Sequence, residues 1–283
     1  MKFTKMHGIG NDFILVDALG ENAYETNAYD ISKKVNHRKF GVGGDGLVLV
    51  LPSKLAAFKM RMFNPDGSEA EMCGNGIRCF AKYVHDKFLT PDVNIKVETL
   101  AGVKELKMSL KDGKKEGKVD SVRVDMGEPA LKRSSIPMRG DEAEQVVGET
   151  LKAEGEKFEI TCVNMGNPHV VIFGDNISSV PVPKLGASIE NHKSFPKRTN
   201  VHFVQIVNSS EIIIRTWERG AGETLACGTG ACACVVASVL NGKTSRNVLV
   251  HLPGGDLRVE WAGNNRVLMT GPAEEVFEGE IDI

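Results

Sequence analysis

The sequence predicts an α+β chain made of two duplicated, pseudo-symmetric halves. Each half is expected to be a barrel-like, mostly antiparallel sheet around a central helix, with a candidate active-site cleft between the two domains. Three observations carry that expectation. The chain resembles itself once, at a spacing of about 155 residues, which is domain-sized rather than solenoid-sized. Short apolar runs bounded by Gly and Asn turn signals recur in both halves. Each half also carries a helical pattern immediately after a Cys-Gly-x-Gly corner.

The repeat is visible in three blocks that keep the same order. Gly10-Asn11-Asp12-Phe13-Ile14-Leu15-Val16 aligns with Gly166-Asn167-Pro168-His169-Val170-Val171-Ile172. Asn36-His37-Arg38-Lys39-Phe40 with Asp45 aligns with Asn191-His192-Lys193-Ser194-Phe195 with Asn200. Glu69 and Cys73-Gly74-Asn75-Gly76 align with Glu223 and Cys227-Gly228-Thr229-Gly230. The seam falls near residue 126, at Met126-Gly127-Glu128-Pro129, so the expected domains are residues 1–125 and 126–272. Residues 273–283 are read as a candidate closing strand that returns to the first domain.

The elements follow in order. Residues 13–16 and 170–173 suit buried strands, and residues 47–51 and 201–207 supply the second strand of each half. In the first helix, Ile77, Phe80, Ala81, Val84 and Phe88 fall at helical spacing, and Pro91 is the expected stop. The second helix, over residues 231–240, is apolar nearly all round, so the strands must wrap around it. Further strands are expected over residues 94–97, 121–125, 211–216, 247–251 and 266–270.

Composition bounds the function. At 283 residues the chain is long enough for about two domains. Its 41% hydrophobic residues and 25% charged residues fit a packed globular protein and argue against disorder. A formal net charge of −2 leaves no electrostatic footprint for nucleic acid or an anionic membrane. The longest nearly apolar run, residues 231–240, is half of what a bilayer span requires. Met1-Lys2-Phe3-Thr4-Lys5 has no signal-peptide core, and a cytoplasmic location is expected.

Six cysteines, Cys73, Cys79, Cys162, Cys227, Cys232 and Cys234, sit in a chain large enough to build a core without disulfides. Cys79, Cys162, Cys232 and Cys234 read as core. Cys73 and Cys227 stand apart because they occupy matching corners, each just before a helix. A helix N-terminus favours thiolate through its unsatisfied N–H groups and dipole. The glycines at 74, 76, 228 and 230 clear the backbone for close approach. The amides of Gly74, Asn75, Gly228 and Thr229 are then placed to hold a carboxylate.

Two such corners could grip one carboxylate and set a thiol on each side of its α-carbon. One thiolate would remove the α-proton and the other thiol would return one, inverting the centre. The thiols would titrate as a coupled pair. An amino-acid α-proton is far less acidic than a thiol of pKa about 8.5. The carbanion therefore needs the amides, the dipoles and exclusion of water. The scheme requires no cofactor. Three other readings of the pair stay open: inherited core residues, a functional disulfide, or a zinc site that draws on Cys232-x-Cys234. Residues two apart on a helix point to different faces, which weighs against zinc, and no metal is expected.

The motifs carry a resemblance. Met6-His7-Gly8-Ile9-Gly10-Asn11-Asp12-Phe13, Phe63-Asn64-Pro65-Asp66-Gly67-Ser68, Cys73-Gly74-Asn75-Gly76-Ile77-Arg78-Cys79, Met165-Gly166-Asn167-Pro168-His169, Glu218-Arg219-Gly220-Ala221-Gly222-Glu223-Thr224 and Ala226-Cys227-Gly228-Thr229-Gly230 together resemble the diaminopimelate epimerase family, from residue 1 to the C-terminus. The resemblance implies a cofactor-independent epimerase that interconverts LL- and meso-diaminopimelate in lysine and peptidoglycan-precursor synthesis. It implies catalytic cysteines at Cys73 and Cys227. It places substrate-binding side chains at Asn11, Asn64, Asn167, Asn200, Glu218 and Arg219, and carboxylate-holding amides at Gly74, Asn75, Gly228 and Thr229. It also suggests a homodimer.

Chemistry agrees with these assignments. Arg219 is a natural bidentate partner for the distal carboxylate, and Asn oxygens suit the distal ammonium. His169 and Glu218 occupy places where a base or carboxylate could tune the thiols, although an ordinary strand-end histidine is an equal reading of His169. Asn11 and Asn167 also read as Asx turns. One departure is Gly46, where some members of the family carry a substrate-contacting Gln. The Gly41-Val42-Gly43-Gly44-Asp45-Gly46 loop precedes a strand rather than a helix, so a nucleotide is discounted. The competing readings are a proline-type paired-cysteine racemase and a two-lobed amino-acid binding protein. The first has no use for Arg219, Asn64 and Asn200, and the second has no use for two equivalent thiols.

Overall fold

The computed structural model describes residues 1–20, 22–113 and 117–283. The chain divides into two compact units, Met1–Asp125 with Thr270–Ile283, and Met126–Met269. Residues 270–272, which the repeat places at the end of the second half, group with the first unit instead.

In the first unit, strand Lys2–Gly8 pairs antiparallel with Asn11–Asp17, which runs parallel to Gly46–Leu51. Gly46–Leu51 is antiparallel to Phe58–Phe63, which runs parallel to Asn94–Thr99, itself antiparallel to Gly102–Leu110. Gly102–Leu110 pairs antiparallel with Val119–Gly127, and strand Glu274–Glu280 pairs antiparallel with Lys2–Gly8.

The second unit repeats the sequence of directions. Glu156–Asn164 is antiparallel to Pro168–Phe173, which is parallel to Asn200–Asn208, which is antiparallel to Glu211–Glu218. Glu211–Glu218 is parallel to Asn247–Leu252, which is antiparallel to Gly255–Trp261. The hairpin partner Glu149–Ala153 completes it. Mostly antiparallel pairing, with one central helix inside each set of strands, is the α+β duplication that the sequence predicts.

Five helices are present among the described residues: α1 (Asn22–Thr26), α2 (Ala28–Val35), α3 (Gly74–Asp86), α4 (Val182–Glu190) and α5 (Gly228–Leu240). The central helices are α3 and α5. Helix α5 carries no charged residue and packs against strands on several sides, including Glu156–Asn164, Pro168–Phe173, Asn200–Asn208 and Gly255–Trp261. Helix α3 is buried although it bears Arg78, Lys82 and His85, because most of their polar atoms find partners. The Arg78 guanidinium donates to Pro272 O and Gly74 O at 3.0 Å each. Lys82 donates to Val119 O at 2.6 Å and pairs with Asp86 at 2.9 Å.

The sequence reading did not place α1 and α2 in the first unit or α4 in the second. Ala28, Ile31 and Val35 of α2 pack with Ile14, Val16, Leu47 and Leu49. Val182, Leu185 and Ile189 of α4 pack with Ile172, Val201 and Phe203. Strands covered on both faces must be apolar at every position, and this explains the unbroken runs over residues 13–16 and 47–51. The first helix also ends earlier than Pro91 suggests. Lys87 caps it, and Phe88 takes a left-handed φ of 60° and is 89% exposed, so it lies outside the core face.

Candidate active site

Both corner cysteines are helix N-caps. Cys73 has extended backbone (φ −134°, ψ 122°) before α3, and its Sγ accepts the Gly76 N–H at 3.4 Å. Gly74 and Asn75 are the first two residues of α3, and the first intrahelical bond runs from Ile77 N to Cys73 O at 2.9 Å. Their N–H groups therefore belong to the helix end, which suits anions.

Cys227 is likewise extended (φ −123°, ψ 107°) before α5, with Ala231 N donating to its carbonyl at 2.9 Å. Gly228 and Thr229 lead that helix, and the Thr229 hydroxyl lies 3.6 Å from Cys227 Sγ. All six cysteines are thiols.

The surroundings of the two corners differ. Cys73 is half-buried, with Asn11 Oδ1 at 3.8 Å, and the Asn75 amide donates to the same oxygen at 3.2 Å. Asn11 is held by its other end, its Nδ2 donating to Asp45 Oδ2 at 2.7 Å. Asp45 in turn takes the Asp12 N–H and Arg38, while Asp12 pairs with Lys5 and Arg38. Burial alone would raise the Asp12 carboxyl, but hydrogen bonds from Arg38 and Lys5 and the Lys5 charge hold it at about 2. This ionic knot fixes the direction of the Asn11 amide, because a carboxylate can only accept. Asn64 sits in a turn, where its Nδ2 donates to Ser68 Oγ at 3.0 Å.

Cys227 is only 4% exposed, and burial together with the Glu218 carboxylate pushes its thiol well above the ordinary range, against the pull of the Thr229 hydroxyl and the Gly230 N–H. Glu218 accepts the Thr224 hydroxyl at 2.6 Å. The Asn200 amide joins Pro168 O (2.8 Å) to the Arg219 N–H (2.9 Å), and Arg219 Nη1 donates to Lys197 O at 3.0 Å.

His169 is fully buried, with Nε2 at 2.8 Å from Asn167 Oδ1 and Nδ1 at 2.8 Å from His202 Nε2. Its ring nitrogens are therefore engaged by Asn167 and His202 rather than by a thiol. Burial, then the neighbouring His202 and Arg219, hold His169 well below the usual imidazole range, and burial takes His202 down to about 3.

Sequence reasoning missed His202 and Thr216. The only available signal was that His202 lies two residues after Asn200, on the same face of its strand. The registers also correct the repeat alignment. Leu47 pairs with Phe63 as Val201 pairs with Trp217, so the counterpart of Asn200 is Gly46 and not Asp45. A Cβ at Gly46 would lie 3.1 Å from both Met62 Cε and Phe63 O, a tight fit for any side chain. Among the described residues, no cluster of three or more His, Cys, Asp or Glu side chains is placed to hold a metal ion, and no helix is long and apolar enough to cross a membrane.

Solved structures share this architecture. A phenazine biosynthesis protein of the PhzF family from Bacillus anthracis matches with a TM-score of 0.72 and 18% identity, covering 100% of this chain and 99% of that one. A hydroxyproline epimerase from Agrobacterium vitis matches with a TM-score of 0.69 and 14% identity, covering 99% and 91%. The chain thus has the duplicated α+β fold of these proteins.

Within that fold, the model of the diaminopimelate epimerase family matches residues 3–132 and 161–276. The diaminopimelate epimerase of Acetivibrio thermocellus is 54% identical over 100% of this chain and 99% of its own length. That of Methanococcus maripaludis strain C5 is 54% identical over 100% of both. The chain belongs to the diaminopimelate epimerase family.

Proposed function

We propose that this chain is an isomerase that interconverts LL- and meso-diaminopimelate by inverting one α-carbon, with Cys73 and Cys227 as the two proton-transfer groups. The observation that carries the reading is a cysteine N-capping the central helix of each unit, in repeat register, in a chain of this family. Cys73 as thiolate takes the α-proton, and the Cys227 thiol delivers its own proton to the other face. The charge then resides on Cys227, and the opposite epimer runs the steps in reverse. Burial and the Glu218 charge favour Cys227 as the thiol at rest, which makes it the acid in the first direction.

The N–H groups of Gly74, Asn75, Gly228 and Thr229 hold the reacting carboxylate and stabilise the charge that grows there. Arg219 takes the distal carboxylate. Asn11 offers an oxygen to an ammonium, and Asn64, Asn167, Asn200 and Glu218 complete the polar lining. Action in the cytoplasm, in lysine and peptidoglycan-precursor synthesis, and assembly as a homodimer belong to the same proposal.

The test is conversion of LL-diaminopimelate to the meso form by the reduced protein, followed by chiral chromatography. Conversion by the wild type and loss in Cys73→Ala and Cys227→Ala are expected. A folded, reduced wild type that inverts proline but not diaminopimelate would overturn the substrate assignment.

A further inference from the structure

We propose that Thr216, His202 and His169 form a one-directional chain of hydrogen bonds that sets which end of the Asn167 amide is offered to substrate. The inference rests on the reading above, in which Asn167 lines the site. The chain is built from three contacts: Thr216 Oγ1 to His202 Nδ1 at 2.9 Å, His202 Nε2 to His169 Nδ1 at 2.8 Å, and His169 Nε2 to Asn167 Oδ1 at 2.8 Å.

An amide oxygen only accepts, so His169 must carry its proton on Nε2. Its Nδ1 is then an acceptor, and His202 must donate from Nε2. The His202 Nδ1 is left as an acceptor for the Thr216 hydroxyl. With the Asn167 oxygen facing the ring, every member is thereby assigned one role; a proton added to His169 would place two donors head to head, and one added to His202 would turn the Thr216 hydroxyl from donor to acceptor. Both rings are fully buried and held neutral by that burial, so the chain keeps its direction across the ordinary pH range.

Two features show that the site is built around this chain. Thr216 and His202 are direct cross-strand partners, so the sheet register sets their contact. Gly230, in the first turn of α5, leaves the room that the ring fills, because a Cβ there would sit 2.2 Å from His202 Cε1.

The consequence is an asymmetry imposed on a duplicated fold. Asn11 and Asn167 are repeat counterparts, but Asp45 grips the nitrogen of Asn11 while His169 grips the oxygen of Asn167. Asn11 therefore presents an acceptor toward Cys73, and Asn167 keeps its NH₂ for a substrate acceptor. An acceptor suits an ammonium and a donor suits a carboxylate, so His202 and Thr216 are positioning residues for substrate orientation although neither touches it.

Two experiments test this. Long-range ¹H–¹⁵N correlation spectra of the labelled wild type at pH 7 should show both rings neutral with the proton on Nε2. A proton on Nδ1 of either ring, or an imidazolium, overturns the chain whether or not diaminopimelate is the substrate.

The second experiment is a double-mutant cycle with diaminopimelate. His202→Leu and Thr216→Val should each raise KM about tenfold with kcat within about threefold, and Thr216→Ser should restore KM. In an Asn167→Ala background, His202→Leu should leave KM unchanged. An equal rise in both backgrounds would mean a merely structural role and would overturn the proposal. A wild type inert toward diaminopimelate would refute the function instead, and the tautomers would still decide the chain.

Discussion

Gly230→Ala and Gly76→Ala place the same methyl group at equivalent points of the two central helices, and the structure assigns them opposite signs. At Gly230 the new Cβ would lie 2.2, 2.9 and 3.0 Å from three atoms of the His202 ring. That ring cannot yield freely, because both its nitrogens are hydrogen-bonded and it is wholly buried. Overpacking costs about 1–3 kcal/mol, and each ring hydrogen bond broken in relieving it costs about 1 kcal/mol more. Replacing a helical Gly by Ala returns at most about 1 kcal/mol. The net expectation is a loss of about 2–4 kcal/mol.

At Gly76 the nearest atoms lie at 3.4, 3.5 and 3.6 Å, which is ordinary contact. Only the helix term remains there, a gain between zero and about 1 kcal/mol. Urea unfolding followed by circular dichroism measures both. A third variant isolates the cause, since Gly230→Ala should cost nothing further once His202 is Ala. Equal losses at the two glycines, or an undiminished loss without the ring, would show that the His202 ring is not what excludes the methyl group.

Other consequences are open to measurement. Cys73→Ala and Cys227→Ala should each lower inversion by about 10²–10⁴-fold while thermal midpoints hold, and near-normal turnover in either would remove the two-thiol assignment. The buried histidines predict acid sensitivity. A native pKa of about 3 for His202 against 6.5 unfolded means that its stability is complete above 6.5 and is lost as pH falls. The loss from this residue is about 2 kcal/mol by pH 5, and His202→Gln should flatten the dependence of the urea midpoint on pH between 7 and 5. An identical slope in the variant would sink the argument. Because burial and then Glu218 hold the Cys227 thiol up, Glu218→Gln should speed alkylation of Cys227 at pH 8, measured by peptide mass spectrometry. A slower or unchanged rate would contradict that coupling.

The architecture was legible where single residues leave few choices. A thirteen-residue helix without a charged side chain, α5, cannot lie on a surface, so the strands had to surround it. Helices α2 and α4 were illegible because they are eight and nine residues long and their apolar positions are few. Phe88 matched the helical spacing but lies past the cap, since only the left-handed turn that ends α3 decides where the chain leaves.

The cysteine corners could be read from the repeated Cys-Gly-x-Gly and the helices behind it. His202 could not be read in that way. A lone histidine in an apolar strand looks like core, and its meaning depends on a cross-strand partner and on a glycine in another element. The offset between Asp45 and Gly46 shows the same limit, because sheet register and not residue similarity defines which positions are equivalent.

The proposed mechanism uses two different groups for the proton on the two faces of one α-carbon. The most direct measurement is brief incubation of the reduced protein with LL-diaminopimelate in deuterated buffer. Deuterium at each α-carbon is then measured separately in recovered substrate and in product. With one thiol on each face, meso product should carry one deuterium at the inverted centre, and substrate recovered early in the reaction should still be protiated. Deuterium appearing equally in recovered substrate and product would mean that a single base serves both faces, and would contradict that mechanism.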